Sequence, residues 1–232
     1  MNRLGSLELP FWRLHHLPLR GALLALSISS ALLVGGVIER LPLWGIALAV
    51  LCPWLPIWWF DVRWQTRRYG LYGLFSALTL LQVGHMMEHA AELVQLFVNH
   101  GNLAQSHGIF AVLDNEAVHF YWNVCVWVGI AVLLYRLAPR NPWLWVAFIA
   151  ASIHMVEHVY LYWLYVFHQE FWSAGGWTGI LGHGGLLGLP LDRPYLHLAY
   201  NYLEVVPLVI AFWDQSQRVY DHYLKQAFPP RS

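Results

Sequence analysis

Cysteine and charge are both scarce in this chain. Cys52 and Cys125 are the only two thiols, each inside an apolar run, so a disulfide scaffold is excluded. Charged residues make up 11% of the 232, against about 25% in a soluble domain. The 13 basic residues are matched by 13 acidic ones, which leaves no positive field for a nucleic acid. A disordered chain is excluded as well, because 58% of the residues are apolar and the net charge is zero. No small-residue cleavage site follows the first apolar run, so no secretory signal peptide is expected.

What the chain does have is long apolar stretches. A membrane helix needs roughly 20 mostly apolar residues, and six stretches qualify: 19–38, 41–60, 70–98, 116–137, 142–167 and 194–213. Asp114-Asn115-Glu116 suits the start of the fourth, Pro142 the fifth and Pro194 the sixth. Pro207 is expected to kink the sixth. The chain therefore reads as one all-α transmembrane domain over 1–232, a polytopic six-helix bundle. Residues 1–18 form an interfacial segment, and 168–193 a glycine-rich loop that is a re-entrant piece, a lid or a loose surface loop.

Six spans put both termini on one side. Arg3, Arg13, Arg20, Arg63, Arg67, Arg68, Arg136, Arg140, Arg218, Lys225 and Arg231 fall there, against Arg40 and Arg193 opposite. That bias predicts cytoplasmic termini in an inner or plasma membrane, with loops 99–115 and 168–193 facing outward.

Ionisable residues inside a membrane are expensive and point to function. The third stretch carries His85, Glu88 and His89 in the word HMMEH, and the fifth carries His154, Glu157 and His158 in HMVEH. Offsets of three and four residues keep each triplet within an arc of about 100° on its helix. Glu116, His119 and Asn123 form a stripe on the fourth, and His197, Asn201 and Glu204 one on the sixth. All lie at overlapping heights in the outer half, whereas the inner halves, such as 126–135 and 205–213, offer almost no polar atoms. A path for transport across the whole membrane is not expected. The first two stretches contribute no His or carboxylate and read as packing helices.

Imidazoles and carboxylates facing one another in lipid are what a bound metal reconciles. The candidate ligands are His85, Glu88, His89, Glu116, His119, His154, Glu157, His158, His197 and Glu204. They exceed the four that one zinc takes, so two transition-metal ions are expected, iron first, with copper or zinc as alternatives. Glu116-x-x-His119 has the spacing used in di-metal carboxylate bundles. Gln82 and Glu92 read as an outer layer of the site, and His100, His107, His168 and His183 as solvated loop residues. Met86, Met87 and Met155 read as packing. The glutamates disfavour a haem held by two of the histidines.

Histidines gathered from several spans near one membrane face resemble the histidine-box membrane oxygenases and desaturases. Those boxes contain adjacent paired histidines, which HMMEH and HMVEH lack, and HExxH of the zinc proteases is absent too. The function expected from the site is a metal-dependent membrane oxidoreductase acting on a lipid-soluble substrate. The alternatives are a zinc-dependent membrane hydrolase and a non-enzymatic subunit of a larger membrane complex. Expected partners are the bilayer, a lipophilic small molecule and further copies or subunits, and no nucleic acid.

Overall fold

The computed structural model describes residues 14–113, 115–137, 141–174 and 176–227. Expectations placed on residues 1–13, Asp114, Arg140, Gly175 and Arg231 lie outside the described residues. Every regular element among those described is helical. The helices are α1 (Leu19–Ile38), α2 (Leu43–Leu51), α3 (Leu55–Tyr69), α4 (Leu71–Val98), α5 (Glu116–Leu137), α6 (Pro142–Phe167), α7 (Gln169–Ser173) and α8 (Arg193–Ala227).

Among the described residues, five helical stretches are long and apolar enough to cross a membrane: Leu19–Ile38, Leu43–Tyr69, Glu116–Leu137, Pro142–Phe167 and Arg193–His222. α4 is long enough at 28 residues, but Gln82, His85, Glu88, His89 and Glu92 dilute its apolar character. Leu23, Leu24, Leu26, Val34 and Val37 of α1 and Val146, Ile149, Ile153 and Val156 of α6 are exposed. Such apolar stripes facing outward suit a helical membrane protein, whose outer surface meets hydrocarbon.

Two boundaries differ from the hydropathy reading. The second apolar stretch does not end before the charged run 61–68. A single turn at Cys52–Trp54 joins α2 to α3, and α3 runs on to Tyr69 before Gly70 separates it from α4. The charged run stays helical because α3 turns Asp61 and Gln65 inward, where both are buried. Asp61 Oδ2 accepts from His15 Nδ1 (2.7 Å) and from Gln65 Nε2 (2.8 Å), and Asp61 Oδ1 accepts from the His16 amide (2.6 Å). The segment ahead of α1 is thus latched to α3, and Leu14 is buried in the core. At the other end α8 does not stop at 213; it continues through Pro207 for 35 residues, about 52 Å of helix.

α4, α5, α6 and α8 make a four-helix bundle. α8 packs along both α4 and α6, α5 packs along α6, and α4 meets α5 only lightly. α1 and α2 pair with each other and α3 leans on α4, which leaves these three beside the bundle. The connections 99–115 and 168–192 lie at one end of the bundle, the loop end. The opposite, terminal end is filled by Tyr72, Phe75, Ile130, Leu133, Leu144, Ala147, Leu208 and Phe212. In hydrocarbon such a plug holds by close van der Waals packing, since the lipid tails are as apolar as its side chains. Some of its polar atoms pair locally: Tyr72 and Ser216 hydroxyls meet at 3.0 Å, and Asn141 Nδ2 donates to the Ala211 carbonyl at 2.7 Å.

Candidate metal centre

Above that plug, at the loop end, the four stripes face one another. His89, Glu116, His119, Asn123, His154, Glu157, His158, His197, Asn201 and Glu204 are all buried. Helical spacing explains how: residues three, four and seven apart share a face, and each of the four helices turns that face inward.

The histidines and carboxylates take different parts. His154 Nδ1 donates to Glu204 Oε1 (2.9 Å), His158 Nδ1 to Glu116 Oε1 (2.9 Å) and His89 Nδ1 to Glu92 Oε2 (3.1 Å). His119 Nδ1 donates to the Asn115 carbonyl at 3.0 Å. A carboxylate or carbonyl only accepts, so the proton of each ring sits on Nδ1 and the Nε2 lone pair is left for another partner. The Nε2 atoms then converge. His154 and His158 approach at 3.1 Å, His158 and His197 at 3.1 Å, and His85 and His89 at 3.3 Å.

Those separations have a chemical meaning. Two nitrogens bound at about 2.0–2.1 Å to one ion, at tetrahedral or octahedral angles, lie roughly 2.9–3.4 Å apart. Among the described residues two sets meet the requirement for a shared ion, His154 with His158 and His197, and His85 with His89 and His197; within each, the ligand atoms lie within 4.8 Å of one another. His197 belongs to both. His119 completes the cluster, its ring 5.2 Å from His197 and stacked 6.0 Å from His158.

The carboxylates orient the rings or fasten the loops. Glu204 Oε2 accepts from Gln82 Nε2 (2.7 Å), whose Oε1 accepts from Trp122 Nε1 (3.0 Å). Glu116 Oε2 takes the Arg193 guanidinium, which also donates to the Trp177 carbonyl at 2.6 Å and lies over the Trp172 ring. Glu88 and Glu157 turn to the connections: Glu88 Oε1 accepts from the Phe110 amide (2.6 Å), Glu157 Oε1 from the Ile180 amide (2.7 Å). Of the ten residues read from the sequence, five imidazoles fall in the converging sets and His119 lies against them. Glu116 and Glu204 lie behind the rings and Glu88 and Glu157 under the loops.

The two loop anchors expose an internal repeat. Each follows a left-handed glycine, Gly108 (φ 74°) and Gly179 (φ 81°), and a Cβ at either would collide with the glutamate beneath it. Beyond them, Leu113-Asp114-x4-His119-x2-Trp122-Asn123 matches Leu191-Asp192-x4-His197-x2-Tyr200-Asn201 in sequence. Asn123 Nδ2 donates to the His119 carbonyl (2.9 Å), as Asn201 Nδ2 does to that of His197 (3.0 Å). The loop-to-helix segments that lead into α5 and α8 thus repeat one motif, although α8 packs along α6 and α4 meets α5 only lightly. The paired HMxEH words gave the first sign; the matched His-x3-Asn spacing was the signal that extends it.

Residues that hydropathy and His/Glu spacing do not find include Arg193, Trp122 and the Asn115 carbonyl. Tyr200 stacks on His154 with ring centres 4.8 Å apart. Of the loop histidines, His183 is exposed and pairs with Asp192 (3.2 Å), and His168 sits against Trp163. A cavity of about 500 Å3 leads from the connections to the cluster, with Glu92, His107, His119, Trp172, Trp177 and His197 among its walls. Cys52 and Cys125 are free and exposed. No protein-family model, curated protein or solved structure matches the chain.

Proposed function

We propose that the chain is a metal-dependent integral-membrane oxidoreductase with a dinuclear centre held by His85, His89, His119, His154, His158 and His197. The observation that supports it is the convergence of Nε2 atoms at 3.1–3.3 Å with the far side of four rings tied to Glu92, Glu116, Asn115 and Glu204. That is how metal-binding imidazoles are held: the outer hydrogen bond fixes the tautomer and raises the basicity of the inner nitrogen. With the carboxylates turned outward the inner donors are nitrogens, so within the iron-or-copper reading copper is favoured, standing highest in the affinity order. Two adjacent redox ions exchange electrons with a small substrate, and the cavity between the connections is its route to the centre.

In this reading α4 crosses the membrane too, its polar stripe hidden within the bundle, which makes six spans with both termini cytoplasmic. The centre then lies toward the outer face of an inner or plasma membrane, and the apolar plug closes it from the cytoplasm. The test is elemental analysis of detergent-purified protein, followed by electron paramagnetic resonance. About two equivalents of iron or copper that cycle between oxidation states support the reading. Folded protein that stays metal-free after incubation with either ion removes it. Zinc alone in the site transfers the same ligands to a hydrolase, with water activated on the metal.

A further inference from the structure

A second cavity lies on the far side of the molecule, at the terminal end, and shares nothing with the metal cluster. Its volume is about 760 Å3, and Pro18, Ile57, Phe60, Arg63, Trp64 and Arg67 form most of its wall. Five of these six come from α3, and their spacing places them on one helical face. That face is graded. Ile57 and Phe60 are apolar, Trp64 has the amphipathic ring favoured at the membrane interface, and Arg63 and Arg67 stand one turn apart at the end.

The cavity is a constructed one. The latch of His15 and His16 onto Asp61 holds Pro18 against α3, and His16 stacks on Trp64 with ring centres 5.4 Å apart. The same latch occupies the only carboxylate of α3, so Asp61 does not neutralise the neighbouring arginines. Arg63 and Arg67 are exposed and make no ion pair among the described residues. Arg68 adds a third cation over the Trp64 ring.

We infer that this groove binds an anionic phospholipid, its phosphate on Arg63 and Arg67 and one acyl chain along Phe60, Ile57 and Pro18. Position supports the match. Ile57 lies beside Gly21 near the start of α1, so Pro18, Ile57 and Phe60 sit where the first two spans end, and Arg63 and Arg67 stand one to two turns beyond them. Charge supports it too, since basic pockets between membrane helices select acidic headgroups. A zwitterionic lipid offers the same chain with no net charge to meet the two guanidinium groups.

The experiment is native mass spectrometry of the full chain released from vesicles of phosphatidylcholine and phosphatidylglycerol in equal amounts. The wild type is expected to retain phosphatidylglycerol preferentially. R63Q/R67Q should lower that preference roughly 10-fold, while R136Q should leave it unchanged. Equal retention of the two lipids, an unaltered preference in R63Q/R67Q or an equal loss in R136Q overturns the inference. Free glycerol phosphate at millimolar concentration should not displace the lipid; displacement would reduce the site to a bare phosphate site and overturn the acyl part. Should R63Q/R67Q fail to fold, phosphatidylglycerol with a photoreactive chain decides on the wild type. Label within 56–67 sustains the inference, and label confined elsewhere ends it.

Discussion

His158 and His197, on α6 and α8, bring their Nε2 atoms to 3.1 Å while His158 keeps its Nδ1 proton on Glu116. His197 also belongs with His85 and His89, so it is the ring through which the two halves of the bundle meet. A graded outcome follows. His85→Ala should lower metal content by about one equivalent, and His197→Ala should lower it by both. Elemental analysis of the two variants, with circular dichroism to confirm helix content, reads the difference. Equal losses from the two substitutions would contradict a shared ring.

Glu204 should matter through orientation. It touches His154 on one oxygen and Gln82 on the other, and the converging nitrogen of His154 lies on the opposite side of the ring. Glu204→Gln keeps the shape but weakens the fix on the tautomer. Metal affinity is expected to fall 10- to 100-fold with stoichiometry retained at saturating metal, measured by competition with a chelator. An unaltered affinity would remove Glu204 from the ligand-orienting role.

Matching glycines make a matched pair of predictions. Gly108→Ala and Gly179→Ala each force a side chain into a left-handed backbone and onto Glu88 or Glu157. Each should destabilise its connection by about 1–3 kcal/mol, seen as faster proteolysis within 99–115 or 168–192 respectively. If only one of the two connections responds, the two are not held alike.

How much of this was legible beforehand depends on which force writes the signal. The bounds 19–38, 116–137 and 142–167 agree with α1, α5 and α6, because Pro142 and the acidic start at Glu116 mark helix ends directly. The ends of α3 and α8 were hidden, since hydropathy reports where lipid ends and these helices continue past that point. The four stripes were visible as helical periodicity. The division of labour among their residues was not. Glu157 and Glu204 look alike on a helix face, yet one meets a loop amide 23 residues away and the other an imidazole on a different helix. Asp61 and Gln65 read only as part of a charged run because their partner, His15, is 46 residues from Asp61.

That same latch supplies the last test. Asp61 is buried and accepts from His15, from the His16 amide and from Gln65. Asp61→Ala leaves those donors facing a gap, at a cost of about 1–3 kcal/mol for a buried group left unpaired. The expected result is a lower midpoint of thermal unfolding and faster cleavage ahead of α1, with the metal content unchanged. Asp61→Asn should restore part of the loss, because its amide oxygen still accepts from one of the donors. The metal arm gives the comparison its meaning: the latch lies at the terminal end with the apolar plug between it and the histidines. Loss of metal in Asp61→Ala without loss of fold would show that the two ends are coupled through α3 and α4.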